Sequence, residues 1–122
     1  MTKFISISLT NAAEGRDDDY NAWCNNQHIG DVLAVPGIKA AQRFRLSDQI
    51  SAKLGFRYLS LYEMEADQIS DVHAAIAARA GTALMPRTDS SSPGRLFLEL
   101  EPLSARITAE ESAATRGSLL LD

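Results

Sequence analysis

The chain has 122 residues, 45% hydrophobic and 23% charged, the make-up of one globular domain able to bury roughly two-thirds of its unfolded surface without disulfides or metal. One cysteine, Cys24, excludes an internal disulfide framework and a multi-cysteine zinc site, and two histidines, His28 and His73, exclude a His-rich metal centre. A net charge of −4 argues against non-specific binding to nucleic acid or anionic membrane.

No stretch approaches the ~20 apolar residues of a membrane span. The N-terminal apolar run, Phe4–Leu9, is interrupted by serines and is shorter than a signal-peptide core of ~7–15 residues. It reads as a strand instead, and a cytoplasmic location is expected. In that strand Ile5, Ile7 and Leu9 alternate with Phe4, Ser6 and Ser8. A polar segment then ends in Asp17-Asp18-Asp19, carboxylates suited to the first turn of a helix. From Tyr20 the apolar spacing is helical, and Pro36-Gly37 ends this helix. A second strand is expected over 38–46, with Ile38, Ala40, Gln42 and Phe44 opposed to Lys39, Ala41, Arg43 and Arg45. Residues 47–55 read as a loop. A third strand follows over 56–65, with Tyr58, Ser60, Tyr62 and Met64 on one side.

The alanine-rich segment 66–84 places Ile69, Val72, Ile76 and Ala80 on one stripe of a second helix. A flexible Pro/Ser loop is expected over 85–94, then a fourth strand over 95–101 with Leu96, Leu98 and Leu100 alternating against Phe97, Glu99 and Glu101. The tail carries a capping box, Thr108 to Glu111, which predicts a short helix ending near Gly117. Its end, Leu119–Leu121, is expected to dock on this chain or on a partner.

The order βαββαβ is the ferredoxin-like, split βαβ plan, an α+β fold with two helices on one face of an antiparallel sheet. We assign 1–102 to this domain and 103–122 to a C-terminal tail. The second sheet face has no cover within the chain, and a homodimer pairing two such faces is expected.

The most informative stretch is the first helix. Tyr20, Cys24, His28 and Val32 are successive i+4 neighbours and form one stripe, flanked by Trp23 and Gln27. A histidine on an apolar stripe is either a core residue bonded to a backbone carbonyl or a base kept neutral near pH 7 by burial. Asp31, three residues on, either orients the ring or stays solvated. Cys24, mid-helix and apolar, reads as packing rather than as a nucleophile. His73 lies at the edge of the second helix's stripe, a structural position from which it is also able to line a pocket. Arg43 and Arg45 either receive a substrate carboxylate or pair with Glu63, Glu99 or Glu101 across strands. Tyr58 and Tyr62 share one side of the third strand, where a phenol packs or donates to a developing oxyanion. Arg79, Arg87 and Thr88 fall near or in the loop after the second helix, which either closes over a pocket mouth or serves only as a connection. The three aspartates lack the alternation of a cation site.

The run Trp23-x4-His28-Ile29-x-Asp31-Val32-Leu33-x-Val35-Pro36-Gly37, followed by Arg43-Phe44, resembles the first-helix signature of EthD-like members of the dimeric α/β-barrel superfamily. One departure is Cys24, where that signature commonly carries tyrosine. The resemblance implies a ferredoxin-like protomer, a barrel-forming homodimer, a pocket between sheet and helices, and often no cofactor. It favours a functional His28. The resulting expectation is an isomerase, cyclase or lyase without metal or organic cofactor, acting on a small hydrophobic, oxygenated or aromatic catabolite. His28 serves as base or acid beside a carbonyl, Asp31 or a neighbouring Asn orients it, and Tyr58 or Tyr62 stabilises the enolate. Tyr20, Trp23, Cys24, Arg43 and His73 are the expected substrate-binding residues. A cofactor-free monooxygenase and a non-catalytic dimeric binding or stress-response module remain the alternatives. Haem, which would need His28 as axial ligand, is not expected, nor is a nucleic-acid or membrane partner.

Overall fold

A computed structural model describes residues 1–121, with side chains through Gly117. Four strands, β1 (Thr2–Ala12), β2 (Ile38–Arg45), β3 (Tyr58–Ala66) and β4 (Ser91–Leu100), form one sheet in the order β2-β3-β1-β4, every neighbouring pair antiparallel. Helices follow β1 and β3, so the chain has the ferredoxin-like plan expected from its sequence. The first is α1 (Asp17–Trp23), which runs through a π-helical turn (Cys24–His28) into α2 (Ile29–Leu33). The second is α4 (Ile69–Arg79).

Register shows which face each strand presents. Ser6 lies opposite Tyr62 and Glu99, Ser8 opposite Ser60 and Phe97, and Thr10 opposite Tyr58 and Arg95, all on the side beneath the helices. The other side carries Ile7 between Leu61 and Leu98, and Ile5 beside Leu100, with Phe44 next to Leu59. The aliphatic face of the central strand β1 therefore points away from the helices. Leu96, Leu98, Leu100 and Phe44 on that open face are all more than 40% exposed. The aromatics Phe4, Tyr58 and Tyr62 belong to the helix side.

Several boundaries differ from the sequence expectation. Residues 47–55 are not a simple loop but enclose a helix, α3 (Asp48–Leu54), because Ser47 Oγ accepts the Ile50 N–H at 3.3 Å and Gly55 closes the helix at φ +78°. A bulge between Ile38 and Ala40 changes the alternation of β2, placing Ile38 against Met64 in the core while Lys39 stays exposed. The second helix stops at Arg79, well short of residue 84, since the chain turns at Gly81 (φ +79°). The loop that follows is anchored, with Met85 and Ser90 buried and Arg16 paired to Asp89 at 2.7 Å. Strand β4 begins at Ser91, not Arg95; Pro93 is tolerated because β4 is an edge strand and the ladder to β1 is irregular between Thr10 and Ala12. In the tail Thr108 Oγ1 accepts the Glu111 N–H, as the capping signature requires, yet α5 (Ala109–Leu121) continues past Gly117. The expected docking of Leu119–Leu121 lies outside the described side chains.

The core divides in two. Val32, Val35, Ile38, Met64, Val72 and Met85 pack at one end of the helix layer, and Tyr20, Cys24 and Tyr58 at the other. Gly37, at φ +95°, lets the end of the first helix approach β3 and α4: a Cβ there would lie 3.1 Å from both the Glu65 carbonyl oxygen and Val72 Cγ2.

Candidate functional site

Between the two core clusters lies a cavity of about 860 Å³, within the range of small-molecule sites. Its floor is the polar side of β1 and β3: Ser6, Ser8, Thr10 and Ser60. Side chains this small cannot fill the gap between sheet and helix, so the space persists. Trp23, Cys24 and His28 form the helix wall, Tyr62 and Arg43 stand on the sheet, and Phe97 and Arg95 come from β4.

The π-turn sets the helix wall. In an α-helix, residues five apart point in different directions; the wider i→i+5 turn, closed here by the Ile29 N–H on the Cys24 carbonyl, brings them nearly into line. Trp23 and His28 are such a pair, and their rings stack with centroids 4.5 Å apart and planes 17° from parallel. Trp23 also stacks on Tyr20, with centroids 6.4 Å apart.

His28 lines the cavity, and its Nδ1 is enclosed without a hydrogen-bond partner among the described residues. Burial lowers its pKa below the usual 6.5; Asp31 opposes that shift, while Arg95 and Arg43 add to it. The ring is therefore a neutral base near pH 7. Asp31 acts on it through space only, since no hydrogen bond joins the two and Asp31 Oδ2 is itself enclosed and unpartnered.

Tyr20 and Thr10 share a buried hydrogen bond of 2.6 Å, and burial pushes the Tyr20 phenol up to about 12. Burial also raises the Cys24 thiol and the Tyr62 phenol, so both stay protonated at neutral pH. A thiol held in that form is a packing group, as its mid-helix position implies.

Arg43 pairs with none of the glutamates proposed for it: Glu63 is on the opposite face of the sheet, and Glu99 and Glu101 are at the far edge or beyond it. Its guanidinium instead donates to Asn25 Oδ1 and Asn21 Oδ1, both at 2.9 Å, and sits 5.6 Å from the ring centres of both Tyr20 and Tyr58. Its Nε is enclosed and unpartnered.

Tyr58 does not reach the cavity. Its hydroxyl donates to Asp17 Oδ2 at 2.6 Å and accepts from Asn21 Nδ2 at 3.3 Å, on the outer side of the first helix. His73 stands at the cavity rim with Nε2 against the Glu99 carboxylate. The structure thus brings together Tyr20, Trp23, Cys24, His28, Arg43, Tyr62 and His73, and leaves Tyr58 and Asp31 outside the cavity lining. Sequence reasoning missed Arg95 and the serine floor. Both were signalled by alternation, Arg95 through the Phe97/Glu99 side of its strand and the serines through the polar side of β1.

Comparison with known proteins places this geometry in a fold. No family model and no curated protein matches the chain. Solved structures do. The haem degrader MhuD from Mycobacterium tuberculosis, with two haems bound in its active site, aligns at 22% identity over 84% of this chain and 98% of its own, TM-score 0.58. SnoaB, a cofactor-independent oxygenase from Streptomyces nogalater, aligns at 12% identity over 89% and 98%, TM-score 0.53. A dimeric ferredoxin-like protein of unknown function from Jannaschia sp. CCS1 aligns at 19% over 82% and 99%, TM-score 0.52. These are likenesses of fold alone, the ferredoxin-like plan; the EthD-like resemblance rests on the first-helix motif.

The depressed His28 pKa carries a stability signature. Above pH ~6.5 neither folded nor unfolded chain protonates this ring; below it the unfolded chain takes up a proton that the buried ring refuses, and stability falls until pH drops through the folded value. Urea denaturation from pH 7.5 down to 5 is expected to show a steeper loss for wild type than for His28→Gln. Parallel pH profiles would place the ring in water.

Proposed function

We propose that this protein is a small-molecule enzyme whose cavity carries out proton transfer next to a carbonyl, with His28 as the base. The observation that carries this reading is the cavity itself, lined by an imidazole that stacks on Trp23, has an enclosed, unpartnered Nδ1 and a pKa lowered by burial. An imidazole whose pKa lies near or below working pH is suited to accept a proton from a carbon acid and return it. The negative charge that develops on the carbonyl oxygen needs a donor. Tyr62 is on the cavity wall and Arg43 lines it as a positive charge, its Nε enclosed, whereas Tyr58, committed to Asp17, is not available. Asp31 tunes the ring by its charge rather than holding it.

The ligand in this reading is a hydrophobic, oxygen-bearing skeleton, since Trp23, Phe97, Met64 and Ile76 are among the many apolar side chains that line the cavity. Isomerisation, cyclisation and lyase cleavage all begin from the same proton abstraction and need no cofactor. Reaction with oxygen is the second reading, favoured by the likeness to a cofactor-independent oxygenase.

The working unit is a homodimer. Ile7, Leu61, Leu98 and Phe44 form part of an apolar sheet face that the described chain leaves partly exposed, with Leu98 and Phe44 more than 40% exposed, and a second copy covers it best. The likeness to a protein described as dimeric supports this assembly. Leu98→Glu is expected to halve the mass seen in sedimentation at micromolar concentration; an unchanged mass, or a monomeric wild type, would exclude this interface.

For the chemistry, catabolic intermediates are screened by thermal stabilisation, and the best stabiliser is followed for conversion. His28→Gln is expected to keep binding it while losing about 10²- to 10⁴-fold in turnover. Wild-type turnover in that variant would remove His28 from the mechanism. An oxygen electrode decides between the two readings, since consumption stoichiometric with product belongs only to the oxygenase.

A further inference from the structure

The chain carries a net charge of −4, yet its cavity is lined by Arg43, Arg87 and Arg95 against a single carboxylate, Glu99, which is already taken by His73. None of the three arginines forms an ion pair among the described residues, although Arg16 and Arg57 elsewhere on the chain do. The three fall into two groups. Arg43 is fixed on β2 by Asn21 and Asn25. Arg87 and Arg95 belong to the opposite side of the cavity, in the loop before β4 and on β4 itself, and both are exposed.

Arg87 is seated by its surroundings. Its guanidinium rests against Gly81, where a Cβ would come within 3.0 to 3.2 Å of Nε, Cζ and Nη2. Gly81 thus provides both the left-handed turn that ends α4 and the space for the guanidinium. Arg95 has only a long contact to Ser91 Oγ, 3.5 Å, leaving its remaining donors free. Guanidinium groups without carboxylate partners at the rim of an apolar cavity attract an anion that brings its own apolar body.

We propose that the ligand of this cavity is an organic acid, its ring-bearing body on Trp23 and Phe97 and its carboxylate received by Arg87 and Arg95. This rests on the reading of the cavity as a ligand site and adds the ligand's charge class. It also gives the ligand a direction: the carboxylate stays at the rim, and the carbon next to the carbonyl is carried inward to His28.

The test uses two matched probes, 9-anthracenecarboxylate and 9-anthracenecarboxamide, titrated into the full chain and followed by calorimetry and by quenching of Trp23, the only tryptophan. The acid is expected to bind about 10- to 100-fold more tightly than the amide at low salt, with the preference shrinking as salt is raised. In Arg87→Gln/Arg95→Gln the preference is expected to vanish, the acid losing far more affinity than the amide. Equal binding of acid and amide to wild type would overturn the charge assignment and leave the cavity reading intact. A preference that survives in the double variant would overturn the assignment to these two arginines. Binding of neither probe would overturn the cavity reading and this inference with it.

Discussion

The structure depends on a row of small hydroxyl side chains where a ferredoxin-like sheet would ordinarily carry its core. Ser6, Ser8 and Thr10 on the central strand, with Ser60 beside them, face the helices, and the aliphatic residues of the same strand face away. Serine cannot bridge the distance between sheet and helix, so the layers are packed only at their ends, around Val35 and Val72 at one and Tyr20 and Cys24 at the other. Apolar side chains on that row would bury more surface, at roughly 25 cal/mol per Å². Their absence trades stability for a volume in which a ligand fits, and the Thr10–Tyr20 hydrogen bond keeps the one deeply buried hydroxyl of the row satisfied.

Around that volume the charges are arranged by burial more than by pairing. Asp31 is close enough to favour an imidazolium at His28, but desolvation outweighs it and two arginines act in the same sense as desolvation. Arg43 is stabilised by amides and aromatic faces rather than by a carboxylate, so its charge is not neutralised locally. A neutral base beside an uncompensated cation is the electrostatic setting in which an enolate is better accommodated than the neutral ketone from which it forms.

Much of this was legible in the sequence because period-2 and period-3.6 patterns are strong in β1, β3 and the two long helices. The strand–helix order followed directly, and with it the ferredoxin-like plan. The first-helix stripe correctly joined Tyr20, Cys24 and His28 at one wall. What escaped reading has local physical causes. The π-turn adds no unusual residue type to its segment, so the Trp23–His28 stack was hidden by the assumption of 3.6 residues per turn. The bulge at Lys39 inverted part of β2, carrying Ile38 into the core. Tyr58 and Tyr62 share a strand face but end in different places, because Asp17 and Asn21 draw the Tyr58 hydroxyl to the outer side of the helix. Arg43 found amide partners on a helix that no strand-pairing argument considers. The short helix α3 was signalled only by its caps, Ser47 and Gly55, in a segment too brief for periodicity to speak.

The chemistry turns on His28 as a neutral imidazole at the cavity wall, its Nδ1 enclosed and unpartnered among the described residues. Its ring carbon protons, followed by NMR through a pH titration of the wild-type chain with His73 assigned by substitution, test that state most directly. The titration midpoint of His28 is expected below 6.5 and is expected to change when a cavity ligand binds. A midpoint at or above 6.5 would mean that Asp31, not burial, governs the ring, and would rule out His28 as a neutral base held by desolvation.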